Sequence, residues 1–209
     1  MDALRQAIRL IIERIHVTGQ ERFNFQHFKK LDELNDMMTY ANLHLEELGE
    51  GSSRRVYVFS GNKVLKLATN RAGLGQNEQE VSVFTDPETA PIVARIHDYD
   101  PEYFWILSEL TRPVKDSREF EALAGLADEG MLDIEEFCID AVRGDFNFID
   151  PYYEDPRVRQ LARAIHAVAK KNKLLKGDIK KPDSWGKTPD GRLVLIDYGF
   201  SGGVSEKYY

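Results

Sequence analysis

The stretch of sequence that decides the fold is LGEGSSRRVYVFSGNKVLKLA, residues 48–68. It begins with a Gly-x-Gly and continues into a compact β-branched and aromatic run at 56–59. A Ser-Gly-Asn turn then leads into 63–68, where apolar and polar residues alternate. Together with a short run at 44–48, this pattern predicts three antiparallel strands joined by tight turns.

The glycines of this stretch suggest one kind of ligand. Gly49 and Gly51 let the backbone approach a phosphate and direct N–H groups at its oxygens, while Val56 offers an apolar face to a base. An ordinary hairpin turn is the commoner explanation of a Gly-x-Gly between strands, and no Walker-type Gly-Lys-Ser/Thr accompanies it. On their own, the glycines are therefore a weak signal for a phosphate site.

A lysine lies in the middle of the third strand. A buried ammonium is costly unless an anion meets it, so Lys66 is expected to face a carboxylate, a phosphate or both. A lysine that extends along an edge to solvent is the alternative. The following helix, predicted over 76–84, offers Glu78 and Glu80. The core-facing residues Val83 and Phe84, three and four positions later, favour Glu80.

Two further signals come near the end of the chain. Residues 176–186 read KGDIKKPDSWG and follow a long predicted helix, and residues 193–199 read LVLIDYG, a buried strand that ends on a carboxylate. Taken alone, Asp178 and Asp197 are each read more readily as turn or cap residues. The order of the four signals along the chain carries the information.

Helical periodicity surrounds this central region. Apolar residues repeat at helical spacing from Leu4 to Ile15 and again from Phe25 to Met38, which predicts an N-terminal helical extension. Its apolar stripe is read as core, with a protein–protein surface as the alternative. Strands are expected at 92–99 and 103–110, and helices beyond 115, of which 157–173 is the clearest.

Composition excludes several classes of protein. The 209 residues include 28 Lys and Arg against 35 Asp and Glu, a formal net charge of −7, and this excludes a generically basic nucleic-acid binder. A hydrophobic content of 42% suits a folded globular protein. No signal-peptide core or membrane-spanning run is expected, so the cytoplasm is the default location. The single cysteine, Cys138, is expected to be a buried structural thiol, with no zinc site.

Roughly residues 45–203 resemble the protein-kinase-like superfamily. The resemblance lies in five features that follow one another in the same order: the glycine loop, the strand lysine, the helix glutamate, the Gly-Asp loop and Asp-Tyr-Gly. The resemblance implies an α+β, two-lobed fold. An N-terminal helical extension at 1–43 precedes an antiparallel N-lobe sheet with one helix at 44–111 and a mostly helical, minimal C-lobe at 112–209. The Gly-Asp pair without the usual Arg is similar to the aminoglycoside and small-molecule phosphotransferase branch. Small kinase-like proteins encoded by bacteriophages have a similar texture.

The resemblance also implies roles for individual residues and two cofactors, ATP and Mg²⁺. Gly49 and Gly51 would fold over the phosphates, and Lys66, held by Glu80, would neutralise the α- and β-phosphates. The remaining roles are adenine contacts from the backbone of Glu109, Leu110 and Thr111, Mg²⁺ binding by Asp197 and Asp183, proton acceptance by Asp178 and charge compensation by Lys180.

The sequence departs from the family pattern in three places. Asp183 stands where an Asn is usual, Lys176 replaces a His, and ten residues follow Asp-Tyr-Gly, too few for an activation segment of normal length. Two functions remain open. The first is a Mg·ATP-dependent phosphotransferase acting on a small-molecule or protein acceptor. The second is a pseudokinase that serves as a binding or structural module, in the host cytoplasm or in an assembly such as a phage particle.

Overall fold

The computed structural model describes residues 22–125, 134–144, 155–172, 179–196 and 198–199. The chain divides into two compact units, Met1–Glu46 and Glu47–Tyr209. The helix predicted from Leu4 lies outside the described residues. Helices and antiparallel strands together make up the described part of the chain, so the predicted α+β class is confirmed. None of the described helices has an apolar run of the length that a bilayer crossing requires.

The first unit contains two short helices where the sequence predicted one continuous helical stretch over 25–38. These are α1 (Phe25–Phe28) and α2 (Leu34–His44). The Asn24 side chain caps α1 by accepting the amide of His27 at 3.0 Å. The amide of Lys30 then donates to the His27 carbonyl, three residues back, so the helix tightens into a turn and ends. The prediction was wrong because the periodicity of the apolar residues continues across this break.

A five-stranded sheet opens the second unit, and it carries the residues predicted to bind a nucleotide. Its order is β1-β2-β3-β5-β4, and β2–β3, β3–β5 and β4–β5 are antiparallel. The strands are β1 (Glu46–Glu50), β2 (Arg54–Ser60), β3 (Lys63–Ala68), β4 (Ile96–Tyr99) and β5 (Trp105–Glu109). The β2–β3 turn passes through Gly61, whose φ of 58° favours glycine. β1 begins two residues after the predicted start of the run at 44–48.

Helix α3 (Arg71–Thr85) packs on one face of this sheet. It begins five residues before the predicted start at 76, because the Asn70 side chain caps it by accepting the Gly73 amide at 3.1 Å. Two glycines among the first five residues hid this start, since glycine is a poor helix former. Gly73 is required by a close approach: a Cβ there would lie 2.1 Å from the Ser53 carbonyl oxygen.

The strand expected over 92–99 is half as long as predicted. Residues Ala90–Ile92 form a 3₁₀ turn that contains Pro91, which lacks an amide hydrogen. Val93 then forms a parallel bridge to Leu195, and regular pairing with β5 starts only at Ile96. This connection therefore joins the five-stranded sheet to the later part of the chain.

The rest of the second unit is mainly helical and contains a small second sheet. The strands of this sheet are β6 (Arg112–Pro113), β7 (Trp185–Lys187) and β8 (Leu193–Leu195), paired antiparallel in that order. The α-helices among the described residues of this part are α4 (Ser117–Ala124), α5 (Ile134–Arg143) and α6 (Pro156–Asn172). Phe120, Phe137, Trp185 and the predicted structural thiol Cys138 lie in one buried core. Trp185 packs edge-on against Phe120, with ring centroids 5.3 Å apart.

Candidate functional site

The strand lysine meets the helix carboxylate. Lys66 Nζ donates to Glu80 Oε2 at 2.7 Å and to the Ile196 carbonyl oxygen at 3.2 Å. Glu78, the other candidate partner, is exposed to solvent. Glu80 faces the sheet because it lies on the buried side of α3, next to Val81. The ion pair thus joins β3, α3 and the end of β8, three segments that are distant in sequence.

The pair is withdrawn from water. The Glu80 side chain is 0% exposed and the Lys66 side chain 11% exposed. Burial raises the pKa of a carboxyl group, but here the charges of Arg54 and Lys66 and their hydrogen bonds outweigh it, so the pKa of Glu80 lies below its ordinary value of 4.5. Glu80 is therefore ionised at neutral pH, and the ammonium opposite it has a fixed position.

A second cation shares the carboxylate. Arg54 Nη1 lies 2.6 Å from Glu80 Oε1, and the Arg54 side chain is also 11% exposed. Arg54 Nη1 is in addition 3.4 Å from Asn77 Oδ1. Arg54 was not among the predicted site residues, although it lies in the glycine stretch. One signal was present: in the kinase pattern G-x-G-x-x-G-x-V, Arg54 occupies the position of the third glycine.

The glycine hairpin leads directly into the site. Val56 lies opposite Lys66 in the β2–β3 register, and directly opposed residues project from the same face of a sheet. A Cβ added at Gly49 would meet no atom within 4 Å, and one at Gly51 would meet only the Arg54 carbonyl oxygen, at 3.7 Å. The surrounding structure therefore leaves space for a side chain at both glycines, and their predicted phosphate contacts stay a prediction.

The Asp-Tyr-Gly stretch reaches α3 and the connection to β4. Tyr198 is fully buried, and its hydroxyl donates to the Ala94 carbonyl oxygen at 2.9 Å. A Cβ at Gly199 would lie 2.8 Å from the Gln76 carbonyl oxygen and 3.1 Å from Glu80 Oε1, so this position accepts only glycine. Asp197, the predicted metal ligand between Ile196 and Tyr198, lies outside the described residues.

The predicted hinge residues lie at the end of β5. The Glu109 amide donates to the Arg95 carbonyl at 2.8 Å, and the Leu110 amide donates to the Asn62 carbonyl at 2.6 Å. The Glu109 carboxylate accepts two bonds from Arg192 Nη2, at 3.0 and 3.1 Å. Thr111 comes next, half-buried, before β6. The ion pair with Arg192 was not foreseen, and it ties the end of β5 to the segment that leads into β8.

The predicted catalytic loop is described only in part. Asp178 lies outside the described residues, whereas Ile179 accepts the Trp185 indole N–H at 2.6 Å on its carbonyl oxygen. Lys180 Nζ lies 2.5 Å from Glu135 Oε1 at the start of α5. Asp183 lies exposed in a 3₁₀ turn. Within the described ranges, no cluster of three or more His, Cys, Asp or Glu side chains is placed to hold a metal ion.

No protein-family model matches the chain, and no curated protein matches its sequence. Solved structures that resemble it include the streptomycin-ATP-APH(2″)-IIa ternary complex and ADP-bound aminoglycoside phosphotransferase APH(2″)-Ib. Each is 12% identical, with a TM-score of 0.40 over 81% of this chain and 71% of the other. Choline kinase LicA from Streptococcus pneumoniae is 14% identical, with a TM-score of 0.37 over 79% of this chain and 68% of its own. At these identities the similarity concerns the fold and not the activity.

Proposed function

We propose that the chain is a kinase-like phosphotransferase that binds ATP with Mg²⁺ and transfers a phosphoryl group to a small-molecule or protein acceptor. The observation that carries the proposal is the buried Lys66 ammonium, 2.7 Å from the Glu80 carboxylate and 3.2 Å from the Ile196 carbonyl. Asp197 comes directly after Ile196 in the sequence. Phosphoryl transfer depends on positioning and charge neutralisation, and an ammonium held in place by a buried carboxylate contributes to both.

The nucleotide is proposed to lie between the glycine hairpin and Lys66. Lys66 neutralises the α- and β-phosphates while Glu80 keeps the ammonium in place. Gly49 supports this arrangement because its Cα borders open space, where a ligand can approach the backbone. Val56, opposite Lys66 in the sheet, offers the base an apolar surface, and the backbone around Glu109 and Thr111 contacts its polar edge.

The proposed metal ligands are Asp197 and Asp183, because carboxylate oxygens are the ligands that Mg²⁺ prefers. When bound, the ion offsets negative charge on the phosphate oxygens. Asp178 accepts the proton of the acceptor group. Lys180, released from Glu135, offsets charge on the phosphoryl group during transfer. In that step the bond from phosphorus to the ADP oxygen breaks and the bond from phosphorus to the acceptor oxygen forms.

The test is nucleotide binding by the purified chain. A ligand that binds the native state raises its stability, by about 2.7 kcal/mol at a concentration one hundred times its Kd. Thermal unfolding with millimolar ATP and Mg²⁺ is expected to shift upward for the wild type and not for Lys66→Ala. Lys63→Ala is the matched control, since Lys63 is a half-buried lysine on the same strand and has no proposed role. No shift for the wild type would overturn the proposal and favour the pseudokinase module.

A second measurement identifies the reaction. Candidate acceptors are incubated with the chain and Mg·ATP, and their intact masses are then recorded. Addition of a phosphoryl group, lost in Asp178→Asn, is the expected result. Addition of a nucleotidyl group would instead mean that the chain binds the nucleotide but catalyses nucleotidyl transfer, and this would overturn the proposed phosphoryl transfer.

A further inference from the structure

Arg54 occupies the position of the third glycine in the hairpin pattern. Arg54 lies opposite Ala68 in the β2–β3 register, two residues from Val56, so its side chain projects from the same sheet face as Lys66. From there it reaches α3, where it contacts Glu80 Oε1 at 2.6 Å. A glycine at this position would leave that carboxylate oxygen without its arginine.

The two oxygens of Glu80 are divided between two cations. Oε1 accepts from Arg54 and Oε2 accepts from Lys66. A buried carboxylate is stable only while cations and hydrogen bonds compensate its charge. If Lys66 were its only cation, an anion that drew the ammonium away would leave Glu80 poorly compensated. Arg54 removes that constraint, because it stays on the other oxygen.

The surrounding contacts hold Arg54 in this position. Ser53 Oγ donates to Gln76 Oε1 at 3.0 Å, and the Thr69 amide donates to the Ser53 carbonyl at 2.8 Å. The end of the hairpin next to Arg54 is thus joined both to α3 and to the end of β3. The guanidinium therefore reaches Glu80 from a backbone that is fixed on two sides.

We propose that Arg54 is a positioning residue of the phosphate site, which holds Glu80 so that Lys66 can be shared between Glu80 and a phosphate oxygen. The inference rests on the proposed function, since it assigns Arg54 a part in binding the phosphates of the nucleotide. It also explains why the hairpin tolerates a large side chain at this position. The arginine extends toward α3 and does not occupy the space above Gly49.

The experiment compares ATP with adenosine, which has the same base and ribose and no phosphate. Affinities are measured by calorimetry for Arg54→Gln, for Arg54→Lys and for the wild type. Arg55→Gln is the matched control, because Arg55 projects from the opposite face of β2 and pairs with the exposed Glu50. Arg54→Gln is expected to weaken ATP binding about tenfold or more, with adenosine binding unchanged. Arg54→Lys restores most of the affinity, and Arg55→Gln binds both ligands like the wild type.

A second test removes the carboxylate that Arg54 is proposed to hold. In a Glu80→Gln background there is no carboxylate to hold, so adding Arg54→Gln is expected to cause no further loss of ATP affinity. A further loss there would show that Arg54 acts on the phosphates without Glu80, and would overturn the positioning role. Equal losses of ATP and adenosine in Arg54→Gln would also overturn it, because they indicate a purely structural anchor.

The two proposals fail in different ways. A wild type that binds ATP while Arg54→Gln binds it equally well would overturn the inference about Arg54 and leave the proposed function intact. A wild type that binds neither ATP nor adenosine would overturn both.

Discussion

Replacing Tyr198 by Phe tests how the Asp-Tyr-Gly stretch is held. The substitution removes one oxygen atom from a fully buried side chain and keeps the ring, which lies 5.9 Å from Lys66 Nζ. Burial raises the pKa of Tyr198 well above its ordinary value of 10.0, so the hydroxyl remains a donor to Ala94 throughout the usable pH range. The variant therefore isolates the contribution of a single buried hydrogen bond.

The expected loss results from the burial of both partners. Removing the hydroxyl leaves the Ala94 carbonyl without this donor, and an unsatisfied buried acceptor costs about 1–3 kcal/mol. With a urea m value of about 2 kcal/mol/M, a loss of about 1.5 kcal/mol lowers the unfolding midpoint by about 0.75 M. Because the variant keeps the ring and loses only the bond to Ala94, Tyr198→Phe is expected to lose stability and to retain the proposed nucleotide binding.

The assay is urea unfolding monitored by circular dichroism, with Tyr99→Phe as the control. Tyr99 lies on β4 and is 43% exposed, so loss of its hydroxyl is expected to change the free energy of unfolding by less than about 0.5 kcal/mol. If Tyr198→Phe also stayed within that range, the bond to Ala94 would contribute nothing to stability, and the argument from burial would be refuted.

Two further predictions concern stability at other sites. Arg112 donates a hydrogen bond to Glu119 and, with the nearby backbone, lowers the pKa of Glu119 from 4.5 to about 2. The pair therefore stabilises the fold at neutral pH, and this contribution to the free energy of unfolding is lost as the pH falls from 4.5 toward about 2. The difference in urea midpoint between wild type and Glu119→Gln is expected to be smaller at pH 3 than at pH 7; a difference that grew on acidification would contradict this sign. Gly73→Ala forces a Cβ to within 2.1 Å of the Ser53 carbonyl oxygen, so it is expected to destabilise by more than about 2 kcal/mol, whereas Gly49→Ala, with open space around it, changes the midpoint little. Equal midpoints for the two glycine variants would contradict the close packing at Gly73.

Local sequence pattern predicted the elements that carry the site. Strand β3 spans Lys63–Ala68 as expected, because alternation after a Ser-Gly-Asn turn is a strong strand signal. Helical spacing from Val83 and Phe84 favoured Glu80 over Glu78, and the ion pair forms with Glu80. These relationships depend on residues that are close in sequence or share one face of one element.

Contacts between distant segments could not be predicted in this way. Arg54 and Glu80 are 26 residues apart, and Tyr198 and Ala94 are 104 apart. Neither contact can be inferred from the periodicity of one element, since each depends on how a hairpin end or a strand end meets a helix or a loop. Asp178 and Asp197 lie outside the described residues, so their catalytic and metal-binding roles stay predictions.

The bond from Lys66 Nζ to the Ile196 carbonyl has a consequence for the order of folding. It joins residues 130 apart, with the whole of the intervening chain between them. Closing so long a loop costs chain entropy that only the later contacts repay, so such contacts belong to the last stage of folding. The β2–β3 and β4–β5 pairs are local and can form well before the lysine finds its carbonyl. A nascent chain would therefore gain the bond between Lys66 and Ile196 only after β8 had been synthesised and docked.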